Sequence, residues 1–159
     1  MDHNPYTPPD SAVADQPQPP GSAWKAIALG LLTDIGGTMV ASIVLAIVFG
    51  IVMGAQGQSV DEIEAAMSGQ FLESWVGTIS TLVGLGFSVA GGYVGARIVR
   101  RSELKFGAIQ GVLANVLGFA LSGSAGNDDR PFLLASISFV AVLAGAVWGQ
   151  MRNRARPSA

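Results

Sequence analysis

The feature that most constrains this chain is an apolar run at residues 24–53 that contains a single carboxylate, Asp34. A helix needs about 20 apolar residues to cross a bilayer, and this run exceeds that length. Lys25 lies at its edge, and Asp34 lies about 13 Å further along a helix that rises about 1.5 Å per residue. An ionisable group is costly at that depth, so Asp34 needs either a partner or a task.

Three more apolar runs follow, and the few charged residues are concentrated between them. We therefore predict an all-α integral membrane protein, a four-transmembrane-helix bundle within residues 23–152. The predicted spans are about 26–53, 75–98, 106–122 and 132–151. The proline-rich residues 1–22 are predicted to be a disordered cytoplasmic tail, and residues 153–159 a basic cytoplasmic tail.

A polar connection at residues 54–74 carries the signature of a helix start. Ser59 and Glu62 fit a capping box, in which each residue caps the other's backbone N–H. Val60, Ile63 and Met67 then fall on one helix face, which predicts a short amphipathic helix lying on the membrane surface. An ordinary loop with one helical turn is the alternative.

The distribution of charge predicts the orientation. With the N-terminus inside, eight of the nine basic residues flank the inner ends of the spans. These eight are Lys25, Arg97, Arg100, Arg101, Lys105, Arg152, Arg154 and Arg156. The outer segments hold Arg130 and the acids Asp61, Glu62, Glu64, Glu73, Asp128 and Asp129. The positive-inside rule thus predicts that both termini are cytoplasmic, in a bacterial inner membrane.

Small residues recur every three or four positions along each predicted span. Such a glycine-zipper pattern lets helix backbones approach closely in a membrane. The predicted helix-packing positions are Gly37, Gly84, Gly92, Gly95, Gly111, Gly118 and Gly145.

Polar residues on these small-residue faces lie at similar depths. Asp34, Ser88 and Asn115 are each nine or ten residues from a flanking basic residue, roughly 13–15 Å from the membrane edge. With Thr38 and Gln110 nearby, they form a candidate intramembrane polar site. The hypothesis is that Asp34 is largely protonated and hydrogen-bonds Asn115 or a backbone carbonyl. The site could be structural, could relay protons or cations, or could face a partner subunit.

The composition argues against several classes of function. The only histidine is His3 and there is no cysteine, so we predict no catalytic residues, no metal site and no cofactor. We expect a non-enzymatic protein with a structural or partner-binding role. The alternative is a small proton-coupled transporter or channel component that uses Asp34. Expected partners are the lipid bilayer and another copy or another membrane protein, with no nucleic acid.

The Asn4-Pro5-Tyr6 opening with Pro8-Pro9, followed by four spans, resembles small uncharacterised four-helix proteins of bacterial inner membranes. The architecture is also similar to that of small multidrug resistance transporters, which have four helices and one embedded acid in the first. That family uses a glutamate where this chain has Asp34, and this chain adds a long tail and an outer amphipathic segment. The resemblance implies proton-coupled transport by analogy alone.

Overall fold

The computed structural model describes residues 21–69, 75–122 and 130–155, without the side chains of residues 68–69, 121–122 and 130–131. This part of the chain is all helical. Its elements are α1 (Ala23–Leu31), a π-helical turn (Leu32–Gly36, the π turn), α2 (Gly37–Ala55), α3 (Val60–Gly69), α4 (Trp75–Val99), α5 (Glu103–Ser122) and α6 (Arg130–Arg154). Residues 1–20 of the predicted disordered tail (1–22), the segment with Asp128 and Asp129, and residues 156–159 of the predicted basic tail lie outside the described residues.

Three helical segments in the described part are long and apolar enough to cross a membrane. They are Ala23–Ala55, in which α1, the π turn and α2 are continuous, Trp75–Val99 and Phe132–Arg154. The prediction of an all-α protein is therefore confirmed for the described residues, and length and composition favour a membrane protein. α5 occupies the place of the third predicted span but is not among these three. It begins at Glu103 rather than at residue 106, and an acidic residue in the first turn complements the helix dipole.

The polar connection after α2 contains the predicted short helix, α3. The backbone N–H of Ser59 donates to Glu62 Oε2 at 2.7 Å, and the backbone N–H of Glu62 donates to Ser59 Oγ at 3.3 Å. The capping box is therefore confirmed. These bonds, first from the backbone and then from the hydroxyl of Ser59, hold the pKa of Glu62 below its usual value. Val60 and Met67 on the apolar face remain exposed.

α4 is the central helix and contacts every other described helix except α3. On one side it packs against α1, the π turn and α2. Ala26 lies opposite Gly95, and Asp34 lies opposite Ser88, so residue numbers rise along one partner as they fall along the other. α4 is therefore antiparallel to the first helical segment.

On its other side, α4 runs parallel to α6 at very short range. A Cβ atom placed on Gly145 would lie 2.8 Å from the carbonyl carbon of Val89, and one on Gly149 would lie 3.0 Å from the oxygen of Tyr93. Gly92 makes the reciprocal approach from α4 to the backbone of α6. Backbones can come this close only where side chains are absent, as the small-residue spacing predicts.

Two other predicted packing glycines lie beneath aromatic rings. Gly37 contacts the ring of Phe87, and a Cβ on Gly111 would lie 2.7 Å from the ring of Phe139. Gly118 differs from the prediction, because no described atom outside its own helix comes within 4 Å of its Cβ position. The second half of α5, beyond Gly111, turns most of its side chains outward, so spacing alone did not identify which half packs.

Candidate functional site

Asp34 lies in the middle of the π turn and is only 5% exposed. A π turn inserts extra chain into an α-helix and is frequent at functional sites. It also rotates the residues that follow around the helix axis, so the regular spacing assumed from the sequence does not continue past Asp34. The Thr33 hydroxyl donates to the carbonyl oxygen of Leu29 at 2.8 Å. This carbonyl group, which lies just before the turn, therefore has a hydrogen-bond donor.

The carboxylate of Asp34 begins a chain of hydroxyl groups that crosses three helices. Ser88 on α4 donates to Asp34 Oδ1 at 2.8 Å. The hydroxyl oxygens of Ser88 and Ser138 on α6 are 3.1 Å apart and share a further hydrogen bond. The sequence analysis brought Ser88 to Asp34 but missed Ser138. Its spacing of three residues to Ala141 and seven to Gly145 is the same small-face signal and could have identified it.

Gln110 is the largest side chain that is fully buried among the described residues, with 1% exposure. It lies in a notch where glycines of α1 and α4 face α5. A Cβ on Gly95 would lie 2.6 Å from Gln110 Oε1, and one on Gly91 would lie 3.1 Å from Gln110 Nε2; the Cβ position of Gly30 is closer still to the amide. Without these three glycines, the long amide side chain would have no room between the helices.

Two buried polar atoms in this region have no hydrogen-bond partner among the described residues: Asp34 Oδ2 and Gln110 Nε2. A buried polar atom left unpaired costs about 1–3 kcal/mol, so two together mark an unusual place in a packed bundle. One is an acceptor when the carboxyl is ionised, and the other is a donor.

The other two predicted members of the polar site lie elsewhere. Asn115 donates from Nδ2 to the carbonyl oxygen of Gly111 in its own helix at 3.0 Å, and Thr38 places its methyl group 3.5 Å from the Cβ position of Gly84. The structure therefore pairs Asp34 with Ser88 and not with Asn115. The physical reason is local, because the short Asn115 side chain reaches the carbonyl one turn back before it reaches a neighbouring helix.

A second polar network, missed from the sequence, ties α4, α5 and α6 where α5 begins. Glu103 is 7% exposed and accepts from Gln150 Nε2 at 3.4 Å and from Asn153 Nδ2 at 3.2 Å. Asn153 also donates to the carbonyl oxygen of Ala96 at 3.0 Å and accepts from Arg97 at 3.3 Å. The sequence analysis did not single out Glu103. No spacing in the sequence distinguishes Glu103 as a buried acid or relates it to the amides of Gln150 and Asn153.

The described residues include no group of three or more His, Cys, Asp or Glu side chains placed to hold a metal ion. The site at Asp34 offers one carboxyl group, two hydroxyls and one amide. This set can hold and exchange hydrogen bonds and can bind a proton. Within the described residues, the fold and the site define an all-helical structure with three candidate membrane-crossing helices and an enclosed polar cluster. Comparison of the chain with protein-family models, with curated proteins and with solved structures finds no match.

Proposed function

We propose that this chain is a non-enzymatic, four-spanning integral membrane protein with a structural or partner-binding role. The observation that carries the proposal is the placement of polar and apolar groups. Gln110 and Ser88 are enclosed between helices, whereas Val40, Leu82 and Val140 are more than 60% exposed. An apolar exterior around a polar interior suits hydrocarbon surroundings and would be an aggregation hazard in water.

The fourth span in this proposal is α5, which fills the gap between α1 and α6. Its polar residues Glu103 and Gln110 are both buried within the bundle, so the helix need not expose them to lipid. α5 begins at Glu103, just after α4 ends at Val99, and Gln110 lies back along α4 against Gly95 and Gly91. α5 is therefore antiparallel to α4 and parallel to the first helical segment. An up-down-up-down bundle is consistent with these directions.

The proposed orientation places both termini in the cytoplasm of a bacterial cell. Asn153 of α6 bonds Ala96 of α4 and Glu103 of α5, which puts the end of α4, the start of α5 and the end of α6 together. The described basic residues at this end are Lys25, Arg97, Arg100, Arg101, Lys105, Arg152 and Arg154. The acids of α3 follow the opposite end of α2. This asymmetry supports a cytoplasmic location for the basic end.

Cysteine labelling tests the orientation directly, because the natural chain has no cysteine. Gln58→Cys, beside α3, and Arg101→Cys, in the turn before α5, occupy exposed positions at opposite ends. A membrane-impermeant maleimide should label Gln58→Cys in intact cells and Arg101→Cys only after permeabilisation. The reverse pattern would contradict the proposed orientation, and labelling of both in intact cells would contradict the span count.

The surface proposed for a partner is the outer face of α2. Only 6% of the most apolar stretch of Ala23–Ala55 is buried against other helices, compared with 33% of the corresponding stretch of Trp75–Val99. The α2 face including Val40, Val44 and Ile47 therefore offers the broadest apolar contact for another membrane helix. Native mass spectrometry from nanodiscs should give a mass above the 16.3 kDa of one chain. Val44→Trp should lower the bound fraction, and single chains throughout would contradict a partner-binding role.

A second candidate function, proton-coupled transport or a channel component, is favoured by one observation. Asp34 is buried with Oδ2 unpartnered among the described residues, so its carboxyl is available for a proton. Flux into liposomes under an imposed pH gradient tests this function. Proton-dependent flux that is lost in Asp34→Asn supports transport, and equal flux in both proteins contradicts it.

A further inference from the structure

The unpartnered atoms of Asp34 and Gln110 belong to side chains that both approach the same glycine, Gly91. A Cβ on Gly91 would lie 2.9 Å from Asp34 Cβ and 3.1 Å from Gln110 Nε2. Both side chains are more than nine-tenths buried and come from different helices, the π turn and α5. Asp34 Cβ and Gln110 Nε2 are therefore no more than about 6 Å apart across the same glycine, and no hydrogen bond joins the two side chains in the described structure.

The two groups are chemically complementary in either protonation state of the carboxyl. An ionised carboxylate accepts hydrogen bonds, and the NH2 group of Gln110 donates them. A neutral carboxyl carries an O–H that needs an acceptor, and the C=O group of the same amide accepts. Rotation of the amide about its last torsion exchanges these two ends, and that torsion has a broad, nearly two-fold profile. Ser88 can donate to Oδ1 in both states.

No charged group competes with Gln110 for the carboxyl among the described side chains. Among the described side chains, the ionisable residues on the helices that contact the π turn are Lys25 on α1, Tyr93 and Arg97 on α4, and Glu103 and Lys105 on α5; α2 has none. α6, which packs against α4, carries Arg152 and Arg154 among its described side chains. Glu103 and Arg97 are engaged by Asn153, and Tyr93 lies against the ring of Trp148. No described ion pair or hydrogen bond joins any of these groups to Asp34.

We infer that Asp34 and Gln110 form a single intramembrane proton-binding site in which the amide of Gln110 turns when Asp34 gains or loses its proton. The inference rests on the proposed membrane location and deepens the second candidate function by naming the ligand and the second residue. The proton binds Asp34 Oδ2 and is donated in a hydrogen bond to Gln110 Oε1. On its release, Gln110 Nε2 donates to the carboxylate. Protonation in the first span is thereby transmitted to α5.

The test follows the side-chain amide of Gln110 in the full chain by NMR, with ¹⁵N-labelled glutamine, in lipid nanodiscs. The Gln110 NH2 signals should shift with pH in the parent and should stop shifting in Asp34→Asn, which cannot titrate. Infrared difference spectra of the same samples should contain a carboxylic acid C=O band that is absent in Asp34→Asn. In Gln110→Met, which keeps the chain length without the amide, that band should move to higher wavenumber because the acid has lost its acceptor.

Asn115→Leu is the matched control, because Asn115 is an amide on the same helix that bonds its own backbone. It should leave both signals unchanged. The inference is overturned if the Gln110 signals do not respond to pH, respond equally in Asp34→Asn, or if Gln110→Met leaves the infrared band in place. A positive result without liposome flux would retain the proton site and remove only the transport function. Flux with no Gln110 response would retain the transport function and remove the proposed site formed by Asp34 and Gln110.

Discussion

Gly92 on α4 lies directly against the backbone of α6, and a Cβ atom placed there would stand 3.2 Å from the amide nitrogen of Ala146. Two backbones in contact cannot yield as a flexible side chain can. The closeness of α4 and α6 therefore depends on the missing side chain at this position and on Gly145 opposite.

Replacing Gly92 with leucine should destabilise the bundle by about 1–3 kcal/mol or more, because overpacking forces the helices apart. Gly86→Leu is the matched control, since no described atom comes within 4 Å of a Cβ at that position on the same helix. Thermal unfolding in detergent should show a lower melting temperature for Gly92→Leu alone. Equal melting of both variants would mean that α4 does not pack through Gly92.

Removing the Ser88 hydroxyl should leave Asp34 with no described hydrogen-bond donor on either oxygen. Ser88→Ala should therefore lower the free energy of unfolding by about 1–2 kcal/mol, the range for buried polar contacts within membrane bundles. Ser138→Ala should cost less, because Ser88 still donates to the carboxyl. Chemical unfolding in mixed micelles measures both, and a larger loss in Ser138→Ala would contradict the direction of the chain of hydrogen bonds.

The capping box at α3 should make that helix dependent on pH. The pKa of Glu62 is lowered by its hydrogen bonds from Ser59, so the folded form favours the ionised carboxylate. The stabilisation is present above the ordinary value of 4.5 and is lost as the pH falls through the lowered value. Hydrogen exchange of the α3 amides should therefore be better protected at neutral pH than in acid, relative to unstructured references.

Glu62→Ala should abolish this pH dependence, whereas Glu64→Ala on the same helix should retain it. Glu64 makes no capping contact with Ser59, so it controls for the general effect of removing one acid from α3. Identical pH dependence in the parent and in Glu62→Ala would exclude the capping box as its cause.

The network at Asn153 should hold three helix ends together. Asn153→Ala removes donors from Ala96 and Glu103 and leaves the Glu103 carboxylate buried with less support. The expected loss is about 1–3 kcal/mol. Met151→Ala, two residues earlier and 63% exposed, should change little. Cysteine cross-linking between the ends of α4 and α6 should become slower or less complete only in Asn153→Ala.

The sequence predicted the close approaches better than it predicted the polar contacts. A missing Cβ is a local property, so Gly92 and Gly145 could be identified from spacing alone. Ser88 was also placed correctly beside Asp34, but on α5 the prediction favoured Asn115 over Gln110, because depth counted from Lys105 treats every side chain as equally long. Gln110 lies five residues before Asn115, and its longer side chain reaches the glycine notch, whereas Asn115 bonds its own helix.

The π turn at Leu32–Gly36 could not be predicted either. Its residues form an ordinary apolar helix sequence apart from Asp34 and the neighbouring glycines, and widening one turn requires only a small local rearrangement. The turn packs against α4, which is distant in the sequence, and a local pattern carries no information about such contacts. For the same reason the network around Glu103 could not be predicted, because its amide partners Gln150 and Asn153 lie 47 and 50 residues away in the sequence.

On α4 and α6, the positions where the two helices contact each other should tolerate different substitutions from the exposed positions of the same helices. At Gly92 and Gly145 the size of the side chain decides, because even a Cβ atom would overlap the backbone of the facing helix, so a saturation library should retain only glycine. At Leu82 and Val140, which are exposed on the same two helices, polarity decides and size hardly matters. Any large apolar residue should survive there, and no charged one. Each of these two helices should therefore follow one substitution rule where it contacts the other helix and a different rule at its exposed positions.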